Sequence, residues 1–329
     1  MKPVQVTSAL WDSRSIPMDL ESLRFLYLRR VIGTALQAVG VEAADRFARM
    51  VGRGVYSLHG LGRVTAEARV RGWLGSTANE EAANGIIRSM YEHTARFWIE
   101  SLYLSRLLRA SSWRGFVQVH EAKRWETIAN SPRGCLIATA YFGNPGVLAW
   151  ALGQIFRPLY VIADRFGEGS IGAWQRDLYR ADWVEPLDRR YAAAQLPMLL
   201  ERGEAVMIVA EAERESGRAC ETAFLGRRVR AYPTLARLAH AFDAPIVAAV
   251  CSRKCVAFRF DIEMGGAVEY GEDDDGVMGE VLARIERMIA KRPEQYLWST
   301  PTLGGRRGQA SNETSLIPDS ALEAATIGA

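Results

Sequence analysis

The sequence predicts an α/β fold, with a largely parallel or mixed central sheet flanked by helices and a helical region at the N-terminus. Between residues 111 and 303, short uncharged runs of strand character alternate with helical segments, as in a sheet whose crossovers are helices. Before them lies an N-terminal region, residues 1–110, in which apolar side chains at helical spacing begin at Leu20. Residues 304–329 are rich in Gly, Ser, Thr and Ala without an apolar period, and we expect this tail to be disordered.

Composition narrows the functional classes. The chain has 329 residues, enough for a sizeable core, and we favour one core over two. Its 41 Lys and Arg against 38 Asp and Glu give a net charge of only +3, so we expect no nucleic-acid partner. No uncharged run approaches the roughly 20 residues of a membrane-spanning helix, which predicts a cytosolic protein or one that lies on a membrane surface.

The N-terminal helical region, from Leu20 to Leu74, is locally basic. It holds nine arginines against four acidic residues. One interpretation is a solvated face on helices that pack on the core through residues such as Phe47, Val51 and Val55. The other is a basic helical surface that docks on anionic lipid, where each Arg contributes about 1 kcal/mol.

The next helix, predicted over Ala82 to Leu108, carries His93 within a broad apolar stripe. A single histidine on a helix is more often structural than catalytic, so we interpret it as structural. The four cysteines of the chain are expected to be reduced, and no His or Cys cluster completes a zinc set, so we predict no metal.

The central unit of the sheet runs from Cys135 to Phe156. An uncharged, partly β-branched run up to Tyr141 predicts a strand buried on both faces. Gly143 breaks it, Asn144 is suited to cap a helix, and Pro145 suits the first helical position. Residues at such a turn lie at the carboxyl edge of a strand and at the positive end of a helix, where α/β proteins place their chemistry.

Further strands are predicted on both sides of the centre. Leu159 to Ala163 precedes Asp164 and a helix that contains Arg176. Ala205 to Ala210 ends in Glu211 and Glu213, and neighbouring parallel strands leave their loops at one sheet edge, so we expect these acids to share a site with the turn. Two later strands, Val256 to Ile262 and Ala267 to Tyr270, are predicted to form an edge hairpin.

Four segments carry a family resemblance. Residues 141–146, Tyr-Phe-Gly-Asn-Pro-Gly, resemble the His-Phe-Gly-Asn-Trp-Glu box of the late acyltransferases of lipid A biosynthesis, the lauroyl and myristoyl transferases of Gram-negative inner membranes. Residues 211–213 occupy the place of the family's Asp-Gln-Asp segment, residues 224–227 resemble its Phe-Phe-Gly turn, and residues 293–298 match a further signature. The resemblance implies a glycerolipid-acyltransferase-like fold.

The box itself is altered. In the family it supplies the catalytic His and, five positions on, a carboxylate, whereas this chain has Tyr141 and Gly146 there. The pKa of an unperturbed tyrosine, about 10, leaves little phenolate at pH 7. Three accounts stay open: a catalytically silent lipid-binding or partner-binding protein, catalysis by positioning and electrostatics alone, or a base borrowed from Glu211, Glu213 or Asp164.

The resemblance implies an acyltransferase whose donor is an acyl carrier protein or coenzyme A thioester, without a further cofactor. The acceptor would be a hydroxyl or amine of a lipid or other hydrophobic molecule. The resemblance also implies a peripheral protein on the cytoplasmic face of the bacterial inner membrane. The candidate catalytic residues are Tyr141, Asn144, Glu211 and Glu213. The candidate substrate-binding residues are Phe142, Gly143, Arg176, Arg214 and Arg227. For the three arginines, the alternative is a structural salt bridge to Glu211 or Glu213. For Phe142, the alternative is core packing.

Overall fold

The computed structural model describes residues 27, 31–36, 38–58, 60–75, 79–162, 182–187, 189–214, 217–268, 271 and 273–299. The helices are α1 (Val41–Leu58), α2 (Gly60–Leu74), α3 (Glu80–Ser101), α4 (Leu104–Leu107), α5 (Ala122–Ala129), α6 (Pro145–Phe156), α7 (Arg189–Glu201), α8 (Thr234–Phe242) and α9 (Asp274–Lys291). The strands are β1 (Val117–Val119), β2 (Cys135–Thr139), β3 (Leu159–Ile162), β4 (Val184–Leu187), β5 (Ala205–Val209), β6 (Cys220–Phe224), β7 (Arg227–Ala231), β8 (Ile246–Arg253) and β9 (Phe260–Val268).

The central sheet is mixed, as predicted. Its seven strands follow the order β1-β9-β8-β2-β5-β3-β4, and β6 with β7 forms a separate antiparallel pair. Strands β8, β2, β5, β3 and β4 run parallel, whereas β9 is antiparallel to β8. All five residues of β2 are buried, which explains its uncharged sequence.

The predicted edge hairpin in the last third of the chain is wrong. One continuous strand, β9, replaces it, and β9 lies between β8 and β1 rather than at an edge. Gly265 and Gly266, which would have formed the turn, lie instead where the register between β8 and β9 shifts by a bulge. An extra residue in one strand of an antiparallel pair can be absorbed in this way without ending the strand.

The fully buried positions of helix α1 include small residues, and most of its large apolar side chains face outward. Its buried positions include Ala44, Ala48 and Gly52, and a Cβ added at Gly52 would lie 2.5 Å from the Cα of Glu92 in α3. Five of its large apolar side chains are exposed, namely Phe47, Met50, Val51, Val55 and Leu58. Phe47, Val51 and Val55 of the predicted helical pattern therefore do not lie in the core, and both interpretations of the basic region stay open.

The N-terminal helices share their core with the sheet. Ala66 and Val70 of α2 and Ile87 of α3 belong to the same buried cluster as Leu136 of β2. No described helix combines the length and the apolarity needed to cross a membrane. The proposed tail, residues 304–329, lies outside the described residues, and the boundary at residue 110 remains a prediction.

Candidate active site

The predicted strand, turn and helix are present. β2 ends at Thr139, and α6 begins at Pro145. Asn144 caps the helix, since its side-chain oxygen accepts the N–H of Val147 at 3.1 Å. The turn thus lies at the carboxyl end of β2 and at the positive end of α6, where negative charge is stabilised.

Gly143 is the point of closest approach between this turn and β8. Its φ is +58°, and a Cβ there would lie 1.8 Å from the carbonyl oxygen of Cys251. The N–H of Gly143 donates to the carbonyl of Gln295 at 2.9 Å, and that of Asn144 donates to the carbonyl of Cys251 at 3.1 Å. Both amides are used within the protein, so stabilisation of an oxyanion requires donors from elsewhere in the site.

A buried charged network supports the turn. Glu100 of α3 accepts from the side-chain nitrogen of Asn144 at 2.7 Å and from Nε of Arg253 at 2.7 and 2.9 Å. Glu100 and Arg253 are only 2% and 1% exposed, so each charge depends on the other. Asn144 is fully buried with both side-chain polar atoms engaged. Its observed role is therefore to position the turn.

The predicted proximity of Glu211 to the turn is confirmed. β5 pairs with β2 in parallel, with Val209 opposite Thr139, and Glu211 follows two residues later. Its buried carboxylate accepts the N–H of Tyr141 on one oxygen and the O–H of Tyr296 on the other. Burial and the neighbouring Glu211 raise the pKa of Tyr296, which keeps the phenol protonated as a donor. Both Glu211 oxygens are thus occupied in holding the turn against the sheet.

Glu213 belongs to a cluster of charges slightly farther from the turn. Arg227 donates to it at 3.2 Å, so the salt bridge weighed for Arg227 is the observed contact. Arg69 of α2 donates to the carbonyl of Trp298 at 3.0 Å. Burial lowers the pKa of Arg69, repulsion from Arg227 adds to this, and attraction to Glu211 and Glu213 opposes it. Sequence reasoning had placed Arg69 in the basic N-terminal region and missed its position near the two acids.

Two of the remaining predicted binding residues, Arg214 and Phe142, make contacts within the protein. The guanidinium of Arg214 lies 5.7 Å from the ring centre of Tyr232. Phe142 is 2% exposed and belongs to the hydrophobic core, which leaves it no surface for a substrate. Core packing, the alternative weighed for Phe142, is therefore what the structure shows. Arg176 and Asp164 lie outside the described residues.

A cavity of about 60 Å³ opens beside the turn. Its walls include His93 and Phe97 of α3, Tyr141 and Gly143 of the turn, and Arg253 at the end of β8. The cavity therefore brings two predicted site residues together with side chains from distant parts of the chain. A group that enters this cavity would therefore meet both the aromatic ring of Phe97 and the guanidinium of Arg253.

His93 is the titratable residue of this cavity that sequence reasoning had set aside as structural. Its Nδ1 is buried and has no hydrogen-bond partner among the described residues, and the same holds for Nη2 of Arg253. Burial, and then repulsion from Arg253 and Arg96, lowers the pKa of His93 from 6.5 to about 2, so the ring is neutral at pH 7. The available signal was its spacing from Phe97, four residues on, which places both side chains on one helix face.

Thiol and metal chemistry find little support in the described part of the chain. All four cysteines are free, and three of them are buried. Burial raises the pKa of the Cys135 and Cys220 thiols to about 12, which disfavours the reactive thiolate. Within the described ranges, no group of three or more His, Cys, Asp or Glu side chains could hold a metal ion.

Comparison with known proteins connects this site to a family. Residues 17–303 match a model of the family described as bacterial lipid A biosynthesis acyltransferase. Curated proteins give no match to this sequence. The matched range covers most of the 329 residues, including the turn, the Glu211 segment and the walls of the cavity. The chain therefore belongs to the bacterial lipid A biosynthesis acyltransferase family.

Proposed function

We propose that this protein transfers a fatty acyl group from an acyl carrier protein or coenzyme A thioester to a hydroxyl or amine of a lipid or other hydrophobic acceptor. The observation that carries the proposal is the cavity at the Tyr141–Asn144 turn. It lies at the carboxyl edge of β2 and at the start of α6 in a chain of an acyltransferase family. Family membership supports an acyl donor and a lipid acceptor in general, and the named donors and acceptors are our proposal.

The box residues alone do not meet the needs of acyl transfer, which are a proton acceptor and donors for the oxyanion. Tyr141 is a poor base, and Gly146 has no carboxylate. Glu211 already accepts two hydrogen bonds, and Glu213 is paired with Arg227. These contacts weigh against either acid as the proton acceptor. If the protein is an enzyme, the proton acceptor is therefore a different group.

A catalytically silent binding protein is the second candidate. The occupied oxygens of Glu211 and the missing box histidine favour it. On this account the cavity and its surroundings hold a lipid without consuming a thioester. The two candidates differ in one measurable respect, which is the release of free thiol from the donor.

The deciding experiment supplies the purified protein with palmitoyl thioesters of acyl carrier protein and of coenzyme A, on vesicles of phosphatidylethanolamine and phosphatidylglycerol with a bacterial lipid extract. We expect time-dependent release of free thiol and a matching acylated lipid, measured by mass spectrometry. The variant carrying Tyr141→His and Gly146→Glu restores the family's pair and should be at least as active. Lipid retention without thiol release would instead establish the silent alternative.

We also propose that the protein lies on the cytoplasmic face of the bacterial inner membrane as a peripheral protein. The support is the outer face of α1, which exposes Phe47, Met50 and Val51 beside the exposed Arg46. Burying an apolar side chain contributes about 1.5–3 kcal/mol, and an Arg near anionic lipid about 1 kcal/mol. A surface of this kind is typical of helices that lie in a membrane interface.

Sedimentation with phosphatidylglycerol vesicles tests this surface. Replacing Phe47, Met50 and Val51 by Ser should reduce the vesicle partition constant at least about tenfold, because inserting these three side chains even partly into the membrane contributes more than about 1.4 kcal/mol. Val256→Ser is the matched control, because Val256 is 61% exposed on another face. Equal binding by both variants would refute the assignment of the membrane surface to α1.

A further inference from the structure

The cavity beside the turn contains an acid–base group that the altered box lacks. His93 lies in its wall together with Tyr141 and Gly143. The Nδ1 atom of His93 is buried and has no hydrogen-bond partner among the described residues. An unpaired polar atom away from water is costly, and native structures seldom keep one without a ligand, a water or a catalytic role.

Arg253 also lines the cavity. Glu100 accepts from Nε of its guanidinium, whereas Nη2 is buried and has no partner in the described part of the chain. The side chain is fixed in place, because it is only 1% exposed and lies under the turn. A fixed cationic donor in a site of low dielectric is what stabilises a developing oxyanion.

We propose that, in the acyl transfer proposed above, His93 is the proton acceptor and Arg253 is the oxyanion donor. The acceptor's hydroxyl oxygen forms a bond to the thioester carbonyl carbon, and its proton moves to His93. The carbonyl oxygen becomes the oxyanion and accepts from the guanidinium of Arg253, which lines the cavity. When the carbonyl re-forms, the carbon–sulfur bond breaks, and His93 returns the proton to the departing thiolate.

The charges around His93 have two opposing effects on this cycle. Burial and the cations of Arg253, Arg96, Arg49 and Arg292 lower the pKa of the ring, which keeps it neutral in the free protein but also makes it a weaker base. The oxyanion forms in the same step in which His93 becomes charged. Its negative charge offsets these cations, so the ring becomes a stronger base at the moment when a base is needed.

The kinetic test compares wild type with His93→Gln, using palmitoyl-coenzyme A on the vesicles described above. Loss of a general base predicts a fall in kcat of about 100-fold or more, with residual activity that rises with pH. His240→Gln is the matched control, since His240 lies on α8 beside Asp274 and should keep its activity within twofold. If the wild type turns over and the kcat of His93→Gln is within threefold of it, the His93 inference is overturned and the proposed function stands. Absence of wild-type turnover with every donor would overturn both.

A second measurement does not depend on activity or on the folding of His93→Gln. Imidazole signals of the full chain are recorded by NMR and assigned by difference from His59→Gln, His120→Gln and His240→Gln. The non-hydrolysable thioether hexadecyl-coenzyme A should shift the His93 signals and leave those of His240 in place. Unshifted His93 signals would refute its place in the site.

Discussion

Replacing Glu100 by Gln should strongly destabilise the protein, because it removes one charge of a buried pair and keeps the shape of the side chain. Glu100 accepts two hydrogen bonds from Arg253, at 2.7 and 2.9 Å, and one from Asn144. It also favours the charged form of Arg96, whose pKa is otherwise lowered by burial. The variant would leave two buried cations without this carboxylate.

The expected loss is about 3–5 kcal/mol, the usual effect of removing one partner from a buried ion pair. That is a large fraction of the roughly 5–15 kcal/mol that holds a typical domain folded. By contrast, Glu263→Gln should lose no more than about 1 kcal/mol, because its partner Lys291 is 61% exposed. The double variant Glu100→Met with Arg253→Met removes both charges together and should be more stable than Glu100→Gln.

Urea denaturation at pH 7.5, followed by circular dichroism, measures these differences in the free energy of unfolding. The reasoning would be refuted by a Glu100→Gln protein no less stable than Glu263→Gln. It would also fail if the double variant were less stable than Glu100→Gln, since an uncompensated buried charge would then not be the cause of the loss.

Three further predictions concern the residues around the cavity. His93 is neutral in the folded protein but takes up a proton below about pH 6.5 in the unfolded chain, so the free energy of unfolding of the wild type should fall relative to that of His93→Gln by roughly 1 kcal/mol per pH unit from pH 6.5 to 4.5. A difference between the two urea curves that is constant with pH would contradict this. Gly143→Ala should lower the free energy of unfolding by about 3 kcal/mol or more, or fail to fold, because its Cβ would lie 1.8 Å from a carbonyl oxygen of β8. In the control Gly72→Ala, in α2, the added Cβ meets nothing within 4 Å, so this variant should fold normally. Equal melting temperatures of the two variants would contradict the close approach. Tyr296→Phe should lower the free energy of unfolding, measured by urea denaturation, by about 1–3 kcal/mol, because the buried Glu211 then loses the hydrogen bond from the Tyr296 hydroxyl. An unchanged denaturation midpoint would contradict this.

Part of the site could be predicted because it depends on local chain order. The uncharged run of β2, the break at Gly143 and the cap at Asn144 lie within one short segment, so spacing alone indicates strand, turn and helix. The position of Glu211 followed from one topological rule, that parallel neighbours end at the same sheet edge.

The rest depends on how distant segments pack. Small residues bring α1 close to α3, and this contact turns Phe47 outward although its spacing alone is equally compatible with a core position. Likewise, the periodicity of α3 shows that His93 lies on the apolar stripe but not what the stripe meets.

The sequence by itself determined the fold class, the turn at the carboxyl edge of β2, and the presence of Tyr141 and Gly146 at the two positions where the resemblance expects His and Glu. These depend on side-chain pattern over a few residues, or on identity at one position. Only the tertiary structure decided that Glu211 is bonded through both oxygens and that His93 and Arg253 line one cavity. The physical reason is that hydrogen-bond partners and burial arise between residues far apart in the chain, and they determine which titratable group faces an open space.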